Sequence, residues 1–257
     1  MIKKIFNYAI VFTRMLYRKK PKIVSNKNRG LLYIAFGDTY IKEAINSFSS
    51  IIRNNDFPGT IFCDKIVPGL EIFENVNLIK PRHKREKVEY LSLSPYEKTL
   101  YLDSDTLAID VDLNDLFQLL DNYEIALTHD FARYRYKWGK LIDEYRKIPE
   151  CYSEFNGGLI LFKMPNAEYF FDLWRKYFYK YYLITKGWDQ ASLRLAIYKS
   201  NLKLYVLPVE YNVRSNKNRQ KANQTPILEG GKNPLNPKII HWHGVNLSNY
   251  EKEIYKY

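Results

Sequence analysis

Short apolar runs alternate with helical patterns along the first hundred residues, and this alternation constrains the fold more than any other feature. Leu31–Phe36 is an apolar run closed by Gly37-Asp38, and residues 39–54 then repeat apolar side chains at helical spacing. The same order continues with strands predicted at Thr60–Cys63, Val76–Ile79 and Lys98–Leu102 and a helix predicted at Lys84–Leu93. Such alternation predicts an α/β fold with a mostly parallel sheet.

The second half of the chain continues this pattern with one irregular segment. Helices are predicted at Leu113–Leu120, Ala167–Leu183 and Asp189–Lys199, and strands at Glu124–Thr128, Gly157–Phe162, Lys203–Leu207 and Lys238–Trp242. Phe131–Tyr152 has no clean period and is interpreted as a mobile flap or partner surface, and Asn212–Pro237 as loop. Because no repeat, linker or composition break divides the sequence, we predict one domain over residues 30–245, preceded by residues 1–29 and followed by a tail of residues 246–257.

Composition indicates a folded protein with an anionic partner. The 257 residues are 46% hydrophobic and 16% aromatic, which is enough for a sizeable core. The formal net charge of +12 favours a nucleic acid, a phospholipid surface or a phosphorylated small molecule as the partner. Cys63 and Cys151 stand alone in the sequence, so neither a disulfide framework nor a zinc knuckle is expected, and a reducing compartment is favoured.

The N-terminus is basic and amphipathic. The apolar stretch Ile5–Thr13 is shorter than the roughly 20 residues that span a bilayer, and Arg14 and Arg18 interrupt its continuation. We therefore expect neither a cleavable signal peptide nor a transmembrane span, and a cytoplasmic location. Residues 1–22 suit peripheral contact with an anionic membrane, and equally a helix packed against the domain.

Two carboxylates follow a buried strand in the sequence Thr-Leu-Tyr-Leu-Asp-Ser-Asp-Thr, residues 99–106. Alternate residues of an extended chain share a face, so Asp103 and Asp105 can point the same way. Open α/β sheets bind ligands at the carboxyl ends of their strands, and carboxylate oxygens suit Mg²⁺ or Mn²⁺. The pair taken alone also fits a solvated surface turn.

Taken in order, several motifs resemble the GT-A glycosyltransferases, most closely the family 8 group that includes glycogenin and bacterial lipooligosaccharide galactosyltransferases. The motifs are Ala35-Phe36-Gly37-Asp38-Thr39-Tyr40, Lys87 ahead of Asp103-Ser104-Asp105, Phe155-Asn156-Gly157-Gly158, Asp189-Gln190 and Ile239-Ile240-His241-Trp242-His243-Gly244. The resemblance covers about residues 30–245. It implies a single Rossmann-like GT-A domain, with a mixed, mostly parallel sheet flanked by helices.

The resemblance also implies site residues. Metal ligands would be Asp103, Asp105 and His241, with His243 as a rival, and Mn²⁺ or Mg²⁺ as the cofactor. The donor nucleotide and its phosphates would contact Ala35, Phe36, Tyr40, Lys87 and Ser104, with Lys84 and Arg85 as rivals of Lys87. The donor sugar would contact Asp130, Asn156, Gly157, Asp189 and Gln190, the last two being the candidate catalytic residues.

The implied reaction is metal-dependent transfer of a hexose from a nucleotide-sugar, most simply a UDP-sugar, to a glycan, lipid or protein acceptor. Retention of configuration is implied, by front-side attack or through a covalent adduct. Many relatives carry a Lys-Pro-Trp after the late His and Gly, whereas residues 243–247 lack it; Lys217, Lys221 or Lys252 are candidate substitutes.

Two other functions fit parts of the sequence. A nucleotidyltransferase also uses a strand-borne acid pair, but it needs a glycine-rich phosphate loop that Phe36–Thr39 does not supply. A basic, Tyr-rich module could grip nucleic acid through residues 133–138, although that segment also suits a carbohydrate acceptor. Nucleic acid is not the expected partner.

Overall fold

The computed structural model describes residues 28–109, 111–130, 138–214 and 237–241. Predictions that concern the amphipathic N-terminus, residues 131–137, Lys217, Lys221, His243 and Lys252 lie outside the described residues. Within the described part, none of the helices has the length and apolar character needed to cross a membrane.

The chain forms ten strands and six α-helices in these ranges. The strands are β1 Arg29–Ala35, β2 Gly59–Cys63, β3 Asn75–Leu78, β4 Lys98–Leu102, β5 Thr106–Ala108, β6 Ile125–His129, β7 Phe155–Lys163, β8 Leu204–Leu207, β9 Val213–Arg214 and β10 Ile239–His241. The helices are α1 Asp38–Ile52, α2 Lys87–Tyr90, α3 Asn114–Gln118, α4 Asp143–Arg146, α5 Glu168–Lys180 and α6 Gln190–Ser200.

Seven strands form the central sheet in the order β3-β2-β1-β4-β7-β6-β8. All neighbouring pairs are parallel except those of β7, which runs antiparallel to both β4 and β6. The chain moves outward from β1 to β3 and then returns to β4 on the other side of β1, so a topological switch point lies between β1 and β4. The mostly parallel sheet predicted from the sequence is confirmed.

Helices cover both faces of the sheet, and strand alternation assigns the side chains to two cores. Leu31 and Tyr33 of β1 pack into one core with the apolar face of α1, whereas Leu32 packs into the other. The second core is built largely on α5, whose Trp174 is fully buried. Burial on both faces explains why the central strands β1, β4 and β7 are near-continuous apolar runs.

A second, smaller sheet lies where the acid pair follows β4. Its three strands are ordered β5-β10-β9, with β10 antiparallel to β5 and parallel to β9. The strand predicted at Lys238–Trp242 forms as β10, whereas β5 and β9 were not predicted. Strands of two or three residues carry too little pattern to be recognised in a sequence.

Two predicted elements differ from the structure. The helix predicted over Lys84–Leu93 shortens to α2 and a 3-10 turn at Leu91–Leu93, because the Glu86 carboxylate binds the backbone N–H groups of Arg82 and His83 and holds a turn there. The flap interpretation is wrong for residues 142–148, since Ile142, Tyr145 and Ile148 are buried against Ala191 and Leu195 of α6.

Candidate active site at the end of strand β4

The acid pair stands in the turn that links the two sheets. Asp103 follows β4 directly, and its backbone N–H donates to Gly158 O at 2.8 Å. The hydroxyl of Thr106, the first residue of β5, donates to Asp103 O at 2.9 Å. Because β7 runs antiparallel to β4, its first residues lie beside the last residues of β4, and this pairing holds the turn.

His241, the last residue of β10, joins the two carboxylates. Its Nε2 lies 3.1 Å from Asp105 Oδ1 and 3.8 Å from Asp103 Oδ2. One ligand atom from each of the three residues lies within 4.8 Å of the other two. The β10–β5 pairing sets His241 directly opposite Thr106, which explains the convergence. Two carboxylates and one imidazole nitrogen are a donor set that fits Mn²⁺ or Mg²⁺.

His241 is buried and is held from its other side by a residue outside the predicted site. Its Nδ1 lies 2.9 Å from Asn212 Oδ1. Asn212 is only 4% exposed and also contacts Thr128 and Asn156, each at 3.0 Å from its Nδ2. The imidazole that the sequence suggested as a ligand is therefore fixed in orientation by hydrogen bonding.

Lys87 faces the acid pair although it belongs to a run of charged residues. Its Nζ lies 3.1 and 3.3 Å from the two oxygens of Asp103 and donates to Gly157 O at 2.9 Å. Its neighbour Lys84 is exposed, and Arg85 reaches Asp189 instead. Of Lys84, Arg85 and Lys87, only Lys87 contacts the acid pair in the described part of the chain.

The charge of Asp103 is set by opposing effects. Burial of the carboxyl group would raise its pKa, but the Lys87 ammonium lowers it, and the net pKa lies below the ordinary value. The Tyr101 hydroxyl donates to the same carboxylate, and its pKa is raised well above the ordinary value by burial and then by the Asp103 charge. Asp103 is therefore ionised and Tyr101 neutral at physiological pH.

Asp189 lies between two cations beside an aromatic pair. Its carboxylate is 3.3 Å from Arg85 Nε and 3.8 Å from Lys87 Nζ. The Arg85 guanidinium lies over the ring of Trp188, 4.7 Å from its centroid, and the Trp188 ring contacts that of Trp138 at 5.0 Å between centroids. Trp188 is 45% exposed, so an open aromatic surface adjoins Asp189.

Gln190 is held by a buried carboxyl group. Its Nε2 donates to Phe155 O at 2.8 Å and to Glu154 Oε2 at 3.0 Å. Glu154 is 1% exposed, and burial raises its pKa to about 7, against the lowering effects of Gln190 and Arg194. Both of these Gln190 hydrogen bonds are donated through nitrogen, so its Oε1 faces away from these partners.

Asp130 and Asn156, the predicted sugar-binding residues, are bonded to each other. Asn156 Nδ2 donates to Asp130 Oδ2 at 3.2 Å, and Arg214 of β9 donates to the same oxygen at 2.8 Å. Asn156 is buried, whereas Asp130 and Arg214 are partly exposed. Gly157 contributes its backbone carbonyl, which accepts from Lys87.

The predicted nucleotide-binding residues follow β1 and β4. Ala35 ends β1 and is buried, Phe36 follows it, and Tyr40 in the first turn of α1 is 58% exposed. Ser104 Oγ donates to Glu43 Oε2 at 3.4 Å, which connects the acid-pair turn to α1. Burial raises the pKa of Glu43, and the nearby Asp105 charge raises it further.

Comparisons with known proteins identify the fold. Scans against protein-family models and curated proteins find no match. Solved structures do match: apo GlyE from Streptococcus pneumoniae TIGR4 has a TM-score of 0.61 at 18% identity, covering 90% of this chain and 60% of GlyE. The galactosyltransferase LgtC, in complex with donor and acceptor sugar analogs, has a TM-score of 0.54 at 13% identity, covering 88% of this chain and 94% of LgtC.

The apo bifunctional glycosyltransferase WbbM also matches, with a TM-score of 0.58 at 17% identity over 91% of this chain. This chain has the GT-A glycosyltransferase fold. It spans 52% of the length of WbbM and 60% of the length of GlyE. The predicted fold class and the predicted resemblance to GT-A proteins are confirmed.

Four polar residues of this GT-A domain were missed by sequence reasoning. Three of them contact predicted site residues, namely Glu154, Asn212 and Arg214. The fourth, Thr128, contacts Asn212. Glu154 stands two residues before Asn156, and alternate residues of an extended chain share a face. This spacing was the available signal that Glu154 lies near the site. Asn212 and Arg214 gave no usable signal, because they begin a basic, Asn-rich stretch that has the composition of a loop.

Proposed function

We propose that this protein is a metal-dependent glycosyltransferase that moves a hexose from a UDP-sugar to a hydroxyl group of a glycan, glycolipid or glycoprotein, with retention of configuration. The observation that carries the proposal is the convergence of Asp103, Asp105 and His241 at the end of β4, within a GT-A fold. In open α/β sheets this edge is where ligands bind.

In this proposal Asp103, Asp105 and His241 hold a divalent cation, Mn²⁺ or Mg²⁺. When bound, such a cation supplies Lewis-acid stabilisation of the departing diphosphate. Lys87 adds a fixed positive charge on the same side, held by Gly157 O and by Asp103 itself. A pre-positioned cation of this kind stabilises charge as it develops on a leaving group.

The donor nucleotide would lie over the switch point between β1 and β4. Tyr40 offers an exposed ring for the base, and Ala35, Phe36 and Ser104 line the adjoining strand ends. The donor sugar would lie toward Asp130, Asn156 and Gly157, where partly exposed Asp130 offers a carboxylate oxygen to sugar hydroxyls.

Asp189 and Gln190 are the proposed catalytic residues. Asp189 is held by Arg85 and Lys87, and Gln190 presents an amide oxygen because its nitrogen is engaged elsewhere. Both offer negative charge or a negative dipole to the sugar carbon as it becomes positive. The bond from this carbon to the diphosphate oxygen breaks, a bond to the acceptor oxygen forms, and the acceptor proton leaves with the diphosphate.

The acceptor side of the proposal rests on the aromatic pair Trp138 and Trp188. Trp188 is exposed and Trp138 is partly buried, and aromatic rings beside a carboxylate suit the apolar face and the hydroxyl groups of a sugar. The pair adjoins Asp189, so a stacked acceptor would lie next to the proposed site of transfer. A panel of glycan, glycolipid and glycoprotein acceptors, assayed with the preferred donor, would identify the class.

The experiment that tests the proposed function is a donor-hydrolysis panel of UDP-sugars and GDP-sugars with Mn²⁺ or with EDTA. We expect hydrolysis of a UDP-sugar that requires the metal. Loss of a residue that only supports a metal ligand typically costs roughly 10- to 100-fold. Because Asp103 and Asp105 would bind the metal directly, Asp103→Asn and Asp105→Asn should each reduce hydrolysis of the UDP-sugar by more than this. Asp121→Asn is the matched control, since Asp121 is exposed and pairs with Lys98 at the other end of β4. Full turnover in either site variant would refute the proposal.

A further inference from the structure

His241 is held by a chain of side-chain amides whose orientations are fixed by backbone groups. The chain begins at the backbone N–H of Gly158, which can only donate and lies 2.8 Å from Asn156 Oδ1. That contact identifies the accepting end of the Asn156 amide. Its other end, Nδ2, donates to the Asp130 carboxylate at 3.2 Å, which agrees with the same orientation.

The orientation of Asn156 determines that of Asn212. Asn156 Oδ1 also lies 3.0 Å from the side-chain amide of Asn212. Because this oxygen can only accept, the Asn212 atom that faces it must be the nitrogen, Nδ2. The other hydrogen of that nitrogen points to Thr128 Oγ1 at 3.0 Å. Both hydrogens of Asn212 Nδ2 are therefore used, and its oxygen is left facing His241.

The orientation of Asn212 determines which ring nitrogen of His241 keeps a proton. Asn212 Oδ1 lies 2.9 Å from Nδ1 and can only accept, so Nδ1 carries the hydrogen. Nε2 is then the nitrogen turned toward Asp105, at 3.1 Å, and Asp103, at 3.8 Å. A metal-binding imidazole commonly needs such a partner on its second nitrogen to fix the ring.

We propose that Asn212 is a positioning residue for cation binding: it holds the Nδ1 proton of His241 and presents Nε2 to Asp103 and Asp105. The cation itself rests on the proposed function, whereas the hydrogen bond to Nδ1 does not. Asn212 acts through His241 and has no need to contact substrate. The network joins β6, β7, the turn before β9, and β10, so one buried amide aligns four segments of the chain.

The test measures the ring nitrogens of His241 directly. Long-range ¹H–¹⁵N correlation spectra of the ¹⁵N-labelled full chain at pH 8 report which nitrogen carries a proton, and a His241→Gln spectrum assigns the signal. Mn²⁺ affinity is measured in parallel by calorimetry. The variants are Asn212→Leu, which removes the acceptor, and Thr128→Val, which removes another hydrogen bond of the same Asn212 but leaves Asn156 to orient it.

We expect the wild type and Thr128→Val to keep a proton on Nδ1 and to bind Mn²⁺ alike. Asn212→Leu should lose the hydrogen-bonded Nδ1 proton signal and weaken Mn²⁺ binding by about 10- to 100-fold. An unprotonated Nδ1 in the wild type would overturn the proposal, whether or not Asn212→Leu folds. So would an Asn212→Leu protein that matches the wild type in both measurements.

The two proposals fail in different ways. A protonated Nδ1 in wild-type protein that binds no Mn²⁺ would support the role of Asn212 in orienting His241 and contradict the metal-dependent function. If the wild type binds Mn²⁺ strongly and Asn212→Leu matches it in both the Nδ1 proton signal and Mn²⁺ affinity, the role of Asn212 is contradicted. The proposed function would still stand.

Discussion

Lys87 belongs to a run of charged residues, but unlike Lys84 in the same run it is buried. Charge runs usually face water, and Lys84, three residues earlier, does so. Lys87 is 8% exposed and reaches Asp103 and Gly157 O instead. A buried ammonium that contacts a carboxylate of the candidate metal site is placed where negative charge would accumulate in the proposed reaction.

Replacing Lys87 should therefore impair catalysis. We expect Lys87→Met to lower kcat for metal-dependent UDP-sugar hydrolysis by about 10²- to 10³-fold, the typical cost of removing one pre-positioned group that stabilises developing charge. Lys84→Met, from the same run, should leave kcat nearly unchanged because its charge is solvated. Steady-state kinetics on both variants, with melting curves to confirm folding, make the comparison. Equal effects of the two substitutions would contradict the role given to Lys87.

At the scale of elements, the antiparallel strand β7 is what assembles the site. Its first residues lie against the end of β4, so that Gly157 O meets Lys87 and Gly158 O meets the backbone of Asp103. The two glycines differ in what surrounds them. A Cβ on Gly158 would lie 2.1 Å from His241 Cε1, whereas a Cβ on Gly157 would find its nearest atom, Leu193 Cδ2, at 3.3 Å.

Alanine at these two positions should therefore have unequal effects. Gly158→Ala forces the His241 ring to move, and we expect Mn²⁺ affinity to fall by about 10- to 100-fold, as for loss of a supporting partner. Gly157→Ala requires only small shifts of flexible side chains and should bind Mn²⁺ nearly as the wild type does. Calorimetric titration of both proteins checks this. A Gly158→Ala protein with wild-type affinity would show that His241 is not confined as described.

Sequence patterns predicted elements much better than they predicted the contacts between them. The central strands were found within one or two residues because their apolar runs are long, and the spacing of Asp103 and Asp105 was visible directly. Asn212 was not found, because its partners are 29, 56 and 84 positions away and its own surroundings have loop composition. Hydrogen bonds of this kind follow from tertiary packing, which a single sequence does not display.

At the scale of the whole molecule, the protein has a net charge of +12, yet it gathers acidic groups at this edge of the sheet. Asp103, Asp130 and Asp189 are paired with Lys87, Arg214 and Arg85, respectively. Glu154 is the deeply buried acid of the group and lies near Gln190, Arg194 and Asp130. Its raised pKa makes global stability depend on pH.

Glu154 should stabilise the folded protein at low pH, and this contribution should be lost as pH rises and the carboxyl group loses its proton. Its pKa is raised to about 7 in the folded protein from an ordinary value of 4.5, so the folded state binds its proton more tightly than the unfolded chain does. Stability from this group is then fully present below pH 4.5 and lost as pH rises through about 7. Between pH 5 and pH 8 the free energy of unfolding of the wild type should fall relative to Glu154→Gln, by up to about 3 kcal/mol. Urea unfolding of both proteins measures this, and a difference that is flat with pH would contradict it.

In the proposed function, Asp103, Asp105 and His241 form one cation site that serves a nucleotide-sugar. Anomalous diffraction at the manganese edge, on crystals soaked with Mn²⁺ and UDP, tests it most directly. We expect one strong peak coordinated by these three side chains and by the diphosphate. Bound UDP with no manganese at this position, or manganese held by other residues, would contradict it.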